Sequence, residues 1–267
     1  MKLTVLGCWA PYPKAGGACS GYLLQSGGNN ILIDCGNGVV SNLQKYIDFR
    51  QLNAVVISHF HPDHYMDLYC LRHAVGGARR LRPGLVPLDL YVPSQPAEVF
   101  QQMGRFTEAF NVKPIEILPQ TQEKAGIEQP PVFEAFIGEG NGSDGVKVLF
   151  QKTDHPMPAY AMLFETRAGK VFYSADTKWT SYLTGFAQGA DLAICEASVI
   201  EEDSEYTSVG HLTARQAGMM AREGRAVRLI ITHFWPEYSP ATIRSEAETG
   251  FGKPVTVAVE GLQVEIK

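Results

Sequence analysis

No run of this sequence stays apolar for the ~20 residues that a bilayer-spanning helix requires. Its opening residues, MKLTVLGCWAPYP, hold too short an apolar stretch for a secretory leader and lack a cleavage pattern. A cytoplasmic protein is therefore expected. Cysteine is scarce: Cys8, Cys19, Cys35, Cys70 and Cys195 are odd in number, widely spaced and contain no CxxC pair. This argues against a disulfide framework and a thiolate zinc cluster, and leaves most of these thiols as small apolar core residues. Basic residues are outnumbered too, 23 Lys and Arg against 28 Asp and Glu. A net charge of −5 does not suit a long basic surface gripping nucleic acid. Arg72, Arg79, Arg80 and Arg82 are a local exception. They read as a solvated loop in preference to an anion-steering rim.

Also missing are linkers, low-complexity tracts and charge blocks, so residues 1–267 read as one domain. What is present is a series of short β-branched runs punctuated by Gly, Pro and Asn, with fewer helical patterns between them. Strands are expected at 2–7, 21–26, 30–34, 54–58, 88–92, 114–118, 146–152, 161–166, 170–174, 191–195, 228–232 and 255–259. Helices are expected at 38–49, 63–75, 95–109, 178–188, 213–223 and 240–249. The helix at 213 is well signalled, because Thr213 and Gln216 make a capping box and Gly224 stops it. One internal echo stands out. VVISHFHPDHY at 55–65 and LIITHFWPEY at 229–238 both run apolar residues into a hydroxyl, His, Phe, any residue, Pro and an acid. Two similar halves, each with a buried strand delivering His at its carboxyl end, would produce that echo.

The densest chemistry lies in Ser58-His59-Phe60-His61-Pro62-Asp63-His64. Neutral imidazole and carboxylate are the ligands zinc takes in open catalytic sites. A lone buried histidine is usually a hydrogen-bonded core residue. Four such groups in six residues would each need a partner once desolvated, and a divalent cation satisfies them together. Four ligands this close cannot all reach one tetrahedral ion, so they read as two half-sites completed from elsewhere. His155, Asp176 and His233 each end a strand-like run or open a loop, and each alone would pass as a turn or cap residue. His73 sits inside a helical pattern and reads as an ordinary helix residue. The loops at 10–20 and 76–86 are expected to shape a pocket.

The series HxHxDH, then His, Asp and His in that order, resembles the metallo-β-lactamase superfamily across essentially the whole chain. The resemblance implies an α+β fold, a four-layer αββα sandwich with metals at one edge. It implies that His59, His61 and His155 hold a first metal, Asp63, His64 and His233 a second, and that Asp176 bridges them. Two divalent ions, most simply Zn2+, are implied; Mn2+ or Fe2+ suits the same donors. Within the superfamily the chain is similar to ribonuclease Z and related small phosphodiesterases, whose His-x-Thr element is matched by His211-Leu212-Thr213. In that branch Glu196 corresponds to the glutamate assisting the histidine, and Asp34 to a buried aspartate orienting a ligand imidazole. A homodimer is a further implication. One departure matters. Ribonuclease Z proteins that mature transfer RNA carry a long basic arm, whereas 20 residues separate His155 from Asp176 here, mostly a hairpin turning at Gly169.

The expected activity is therefore a metal-dependent hydrolase, a phosphodiesterase on small or cyclic phosphodiesters and not on long nucleic acid. A hydroxide shared by the two metals would be the nucleophile. His211 would donate a proton to the leaving group, and Asp63 would accept one from the attacking water. A lactonase or thioester hydrolase would use the same site. A mononuclear iron persulfide dioxygenase would leave Asp63 and His233 without a metal, and a transfer-RNA 3′ endonuclease would need the missing arm.

Overall fold

A computed structural model describes residues 1–121, 129–138 and 145–266. Strands β1 (Lys2–Gly7), β2 (Gly21–Ser26), β3 (Asn29–Ile33) and β4 (Ala54–Val56) alternate in the faces they bury. Leu3, Val5, Ile31, Ile33 and Val56 join one core, while Leu6, Leu32 and Val55 join another. This period-two split gives one face of the sheet to a second sheet and the other face to helices. The first sheet is completed by β5 (Leu88–Val92), β6 (Phe110–Pro114) and β14 (Gln263–Glu265), in the order β14-β1-β2-β3-β4-β5-β6. The second contains β7 (Val132–Ile137), β8 (Val146–Lys152), β9 (Tyr160–Thr166), β10 (Gly169–Tyr173), β11 (Leu192–Glu196), β12 (Arg228–Thr232) and β13 (Thr256–Val257). Its order runs in reverse, β13 to β7.

Phe150, Met162, Phe164 and Tyr173 of the second sheet meet the inner face of the first. Helices α1 (Val39–Leu43), α2 (Pro62–Tyr65), α3 (Leu68–Leu81) and α4 (Ala97–Gly104) belong to the first half. Leu43, Leu68, Leu71 and Met103 pack on its outer face. Helices α5 (Ser181–Phe186), α6 (Ala214–Glu223) and α7 (Pro240–Phe251) belong to the second. The result is the expected αββα sandwich. Between α6 and α7 the backbones nearly touch: a Cβ on Gly218 would lie 2.2 Å from the Ala247 carbonyl oxygen. One on Gly250 would lie 2.1 Å from that of Arg215.

Several expected boundaries are corrected. The strand expected at 114–118 lies at 110–114, because Pro114 has no N–H to extend the pairing and a 3-10 turn follows at Ile115–Ile117. β7 is new; its outward Phe136 is apolar like its inward Phe133, Ala135 and Ile137, which blurs the alternation. The helix expected at 38–49 stops at Leu43, since Asp48 and Gln51 form a capping box that starts a separate 3-10 turn. The one expected at 63–75 divides into α2 and α3. The expected 95–109 and 178–188 helices shorten to α4 and α5. A 3-10 segment at Glu201–Val209 buries none of its residues, so no periodicity announced it. The arginine stretch is helix and not loop. Arg79 donates to the carbonyls of Leu85 and Glu108, and Arg72 lies over the Phe106 ring at 3.9 Å. His73 is exposed on that helix. Cys70 is exposed and the other four cysteines are buried. Among the described residues no helix is long and apolar enough to cross a membrane.

Candidate metal centre

β3 and β4 run parallel in the first sheet, and β10, β11 and β12 run parallel in the second. β8 is antiparallel to β9, which is antiparallel to β10, so β8 points the same way as β10. The carboxyl ends of these strands therefore share an edge, and every expected site residue except His211, which precedes α6, leaves from one of them. β4 releases His59 and His61. Pro62 then opens α2 at its first position, which puts Asp63 and His64 in the first turn. His155 follows β8, Asp176 follows β10, Glu196 ends β11 and His233 follows β12. The backbone is left-handed at Asp34, Ala175 and His233, with φ of 52°, 50° and 53°. Non-glycine residues adopt this only where the surroundings hold them, and such positions cluster at functional sites.

The donor atoms fall into groups of His59, His61, His155 and Asp176, and of Asp63, His64 and His233, each within 4.8 Å. Asp176 reaches both: Oδ2 lies 3.5 Å from His59 Nε2, while Oδ1 lies 3.4 Å from His64 Nε2 and 3.3 Å from His233 Nε2. Nitrogens face one another at 3.0 Å (His59 Nε2 to His61 Nδ1), 3.2 Å (His61 Nδ1 to His155 Nε2) and 2.9 Å (His64 Nε2 to His233 Nε2). Ligands at ~2.0–2.1 Å around one tetrahedral zinc stand about 3.3 Å apart, which matches this spacing. Asp176 Oδ1 is buried with no hydrogen-bond partner. An orphaned buried carboxylate oxygen among imidazole nitrogens is costly unless a cation completes it. The donor set fits divalent metal.

Electrostatics lead to the same demand. Burial, then the charge on His64, pushes His59 down to about 3, so it is neutral and free to ligate. Burial likewise lowers His61 and His155. His64 goes the other way: burial opposes its charge, but Asp176, Asp63 and Asp34 surround it and raise it well above the usual imidazole range. Burial would raise Asp63, yet His64 and His233 hold it at about 2. Three carboxylates around one buried imidazole call for positive charge, and a metal ion supplies it without a proton.

Outer partners aim the rings. Asp34 Oδ2 accepts from His64 Nδ1 at 2.8 Å and from the Tyr173 hydroxyl at 2.7 Å, while its Oδ1 takes the Ser58 N–H at 2.7 Å. His64 Nε2 is thereby turned to the centre, the role expected of Asp34. The Gly210 carbonyl accepts from His155 Nδ1 at 2.9 Å; any Cβ on Gly210 would strike that ring at 2.7 Å. Ser198 Oγ donates to Glu196 Oε2 at 2.6 Å and accepts from His233 Nδ1 at 2.8 Å. Ser58, Tyr173, Ser198 and Gly210 were not singled out in the sequence. Their only signal was position beside, or across a strand from, a recognised residue.

His211 lies beside both groups, its Nδ1 3.0 Å from Glu196 Oε1 and 3.9 Å from Asp176 Oδ2. Burial disfavours its charge, but the Glu196 carboxylate overrides this and lifts it to about 9. Of the two loops expected to shape a pocket, the first contributes Ala10 and Pro11 to the cavity over the centre. The second does not. Residues 76–86 end α3 and line a different groove.

The sequence matches the beta-lactamase superfamily domain over residues 29–234. The chain belongs to the metallo-β-lactamase superfamily. Its similarity to the probable metallo-hydrolase YhfI of Bacillus subtilis (strain 168) is 34% identity, covering 98% of both chains. The crystal structure of YhfI superposes with a TM-score of 0.84 over 98% of both chains, at 31% identity. Ribonuclease Z of Bradyrhizobium sp. (strain ORS 278) is 26% identical over 94% of this chain and 95% of its own. The short form of human tRNase Z, at 20% identity, shares the fold with a TM-score of 0.74 over the full length of both. The protein is a metal-dependent hydrolase of the superfamily's ribonuclease Z-like branch, and its His/Asp cluster is of the kind that binds divalent metal.

Proposed function

We propose that the protein is a dinuclear phosphodiesterase acting on small or cyclic phosphodiesters. His59, His61 and His155 would hold one metal, Asp63, His64 and His233 the other, and Asp176 would serve both. Zinc suits these nitrogen and carboxylate donors in open sites. Metals bound there would supply a water of lowered pKa and offset charge on the phosphate oxygens. Asp63, held ionised, would accept a proton from the attacking water.

The observation that carries the reading is the Glu196–His211 pair at the rim of the donor groups. A lactone or thioester needs no second cation beside the metals. A phosphodiester favours one, since it arrives as an anion and its phosphate oxygens gain charge as the alkoxide departs. Glu196 keeps His211 protonated through Nδ1, which leaves Nε2 to face the phosphate and hand over a proton. The relative named ribonuclease Z supports phosphodiester chemistry. Transfer RNA is disfavoured as a substrate: β9 and β10 form the expected hairpin between His155 and Asp176, and no basic arm stands there.

Parallel assays on bis(p-nitrophenyl) phosphate, a 2′,3′-cyclic nucleotide and a homoserine lactone, with metal content measured on the same sample, test the proposal. Turnover is expected for the first two only. His211→Ala should keep the metals while kcat falls by ~10²–10⁴. Full activity in that variant, or turnover of the lactone alone, would overturn it.

A further inference from the structure

The centre opens into a cavity of about 630 Å³, within the range of small-molecule sites. Away from the donor groups its wall is apolar and aromatic: Pro11, Val199, Tyr206, Val209, Trp235 and Tyr238. Trp235 lies two residues beyond His233 and meets Tyr238 edge to face, with ring centroids 5.5 Å apart. The Tyr238 hydroxyl donates to Asp203 Oδ2 at 2.7 Å, which ties this turn to the 3-10 segment 201–209 carrying Tyr206 and Val209. Large side chains are nonetheless left open here. Trp235 is 40% exposed, Tyr206 54% and Val209 55%. An apolar patch contiguous with a reaction centre marks a place where a ligand completes the burial.

The charge of the wall restricts that ligand. Among the described residues no Lys or Arg lines the cavity, and the charged side chain beyond the centre is Asp203. Its segment also carries Glu201, Glu202 and Glu205. Such a rim repels a second phosphate and admits a flat, neutral group. We propose that Trp235, Tyr206 and Tyr238 form a nucleobase subsite, selecting phosphodiesters that carry one base and a single negative charge. This rests on the phosphodiesterase reading above and specifies its substrate class.

The test compares substrates that differ in one part. A nucleoside 2′,3′-cyclic phosphate is set against ribose 2′,3′-cyclic phosphate without a base, and against the same nucleotide bearing a 5′-phosphate. Stacking one base raises kcat/KM by about 5- to 150-fold over the abasic compound. Trp235→Ala should collapse that ratio toward one, and Trp235→Phe should keep most of it. The 5′-phosphate should lower kcat/KM, and Asp203→Asn should return part of the loss. An unchanged base-to-abasic ratio in Trp235→Ala would overturn the subsite. Calorimetric binding of a nucleoside 5′-monophosphate against ribose 5-phosphate, on metal-loaded protein, reads the same preference without turnover. A base preference that depends on Trp235, with no hydrolysis of any phosphodiester, would sink the activity while leaving the subsite standing. Hydrolysis with no preference in either assay would do the reverse.

Discussion

The two halves of the sandwich build the same edge by different means. In the first, one loop and one short helix after β4 deliver His59, His61, Asp63 and His64 within six residues. In the second, β8, β10, β11 and β12 each deliver one residue, His155, Asp176, Glu196 and His233, drawn from 79 positions of sequence. The first half is a motif, and the second is a consequence of topology. Parallel strands place their carboxyl ends together however far apart they lie in the chain.

That contrast can be broken at Asp176. If the dense motif alone made the site, His59→Ala with His61→Ala would lower metal content and Asp176→Ala would not. Because Asp176 reaches donors in both groups, Asp176→Ala should empty the centre as completely as the double variant and remove activity with it. His155→Ala, which touches one group, should lose less metal. Elemental analysis of the purified variants decides it, and a fully loaded Asp176→Ala protein would end the claim that the second half completes the first.

A smaller effect sharpens the comparison one layer out. In the first half a buried carboxylate aims the ring, Asp34 on His64; in the second a hydroxyl does, Ser198 on His233. Removing such partners costs ~10–100-fold in metal affinity or activity. Asp34→Asn should fall near the upper end, because the amide also loses one acceptor for Ser58 or Tyr173. Ser198→Ala should fall near the lower end. Competition with a chelator measures both, and an inverted order would mean that Ser198 matters more through Glu196 than through His233.

These residues also indicate how far the sequence could be read. The αββα fold, the strands carrying the site and the convergence of the proposed donors were legible, because a strand end followed by His or Asp is a local pattern. So was Asp34, through resemblance. Ser198 was not, since its role exists only once β11 and β12 lie side by side and bring it to His233. The aromatic wall was not legible either. Tyr206 sits on a segment that buries nothing, and Trp235 looked like one variable position in an echo of β4. Patterns of burial announce cores, whereas a cavity wall has no period.

The smallest expected effect separates packing from chemistry. Gly36 and Gly250 are both closed off by backbone: a Cβ on Gly36 would lie 2.0 Å from the Asp63 carbonyl oxygen, and one on Gly250 2.1 Å from that of Arg215. Alanine at either position forces a backbone shift costing ~1–3 kcal/mol. Each kcal/mol lowers Tm by about 2–4 °C in a chain of this size. The stability losses should be similar, and the functional ones should not. Gly36→Ala pushes on the turn that carries Asp63 and His64, so it should lose metal affinity along with Tm. Gly250→Ala separates α6 from α7 behind the second sheet, where the strands still fix Asp176 and His233. It should melt earlier while kcat per bound metal stays close to that of the parent. If Gly250→Ala lost metal as readily as Gly36→Ala, the second half would depend on its helices and not on its sheet.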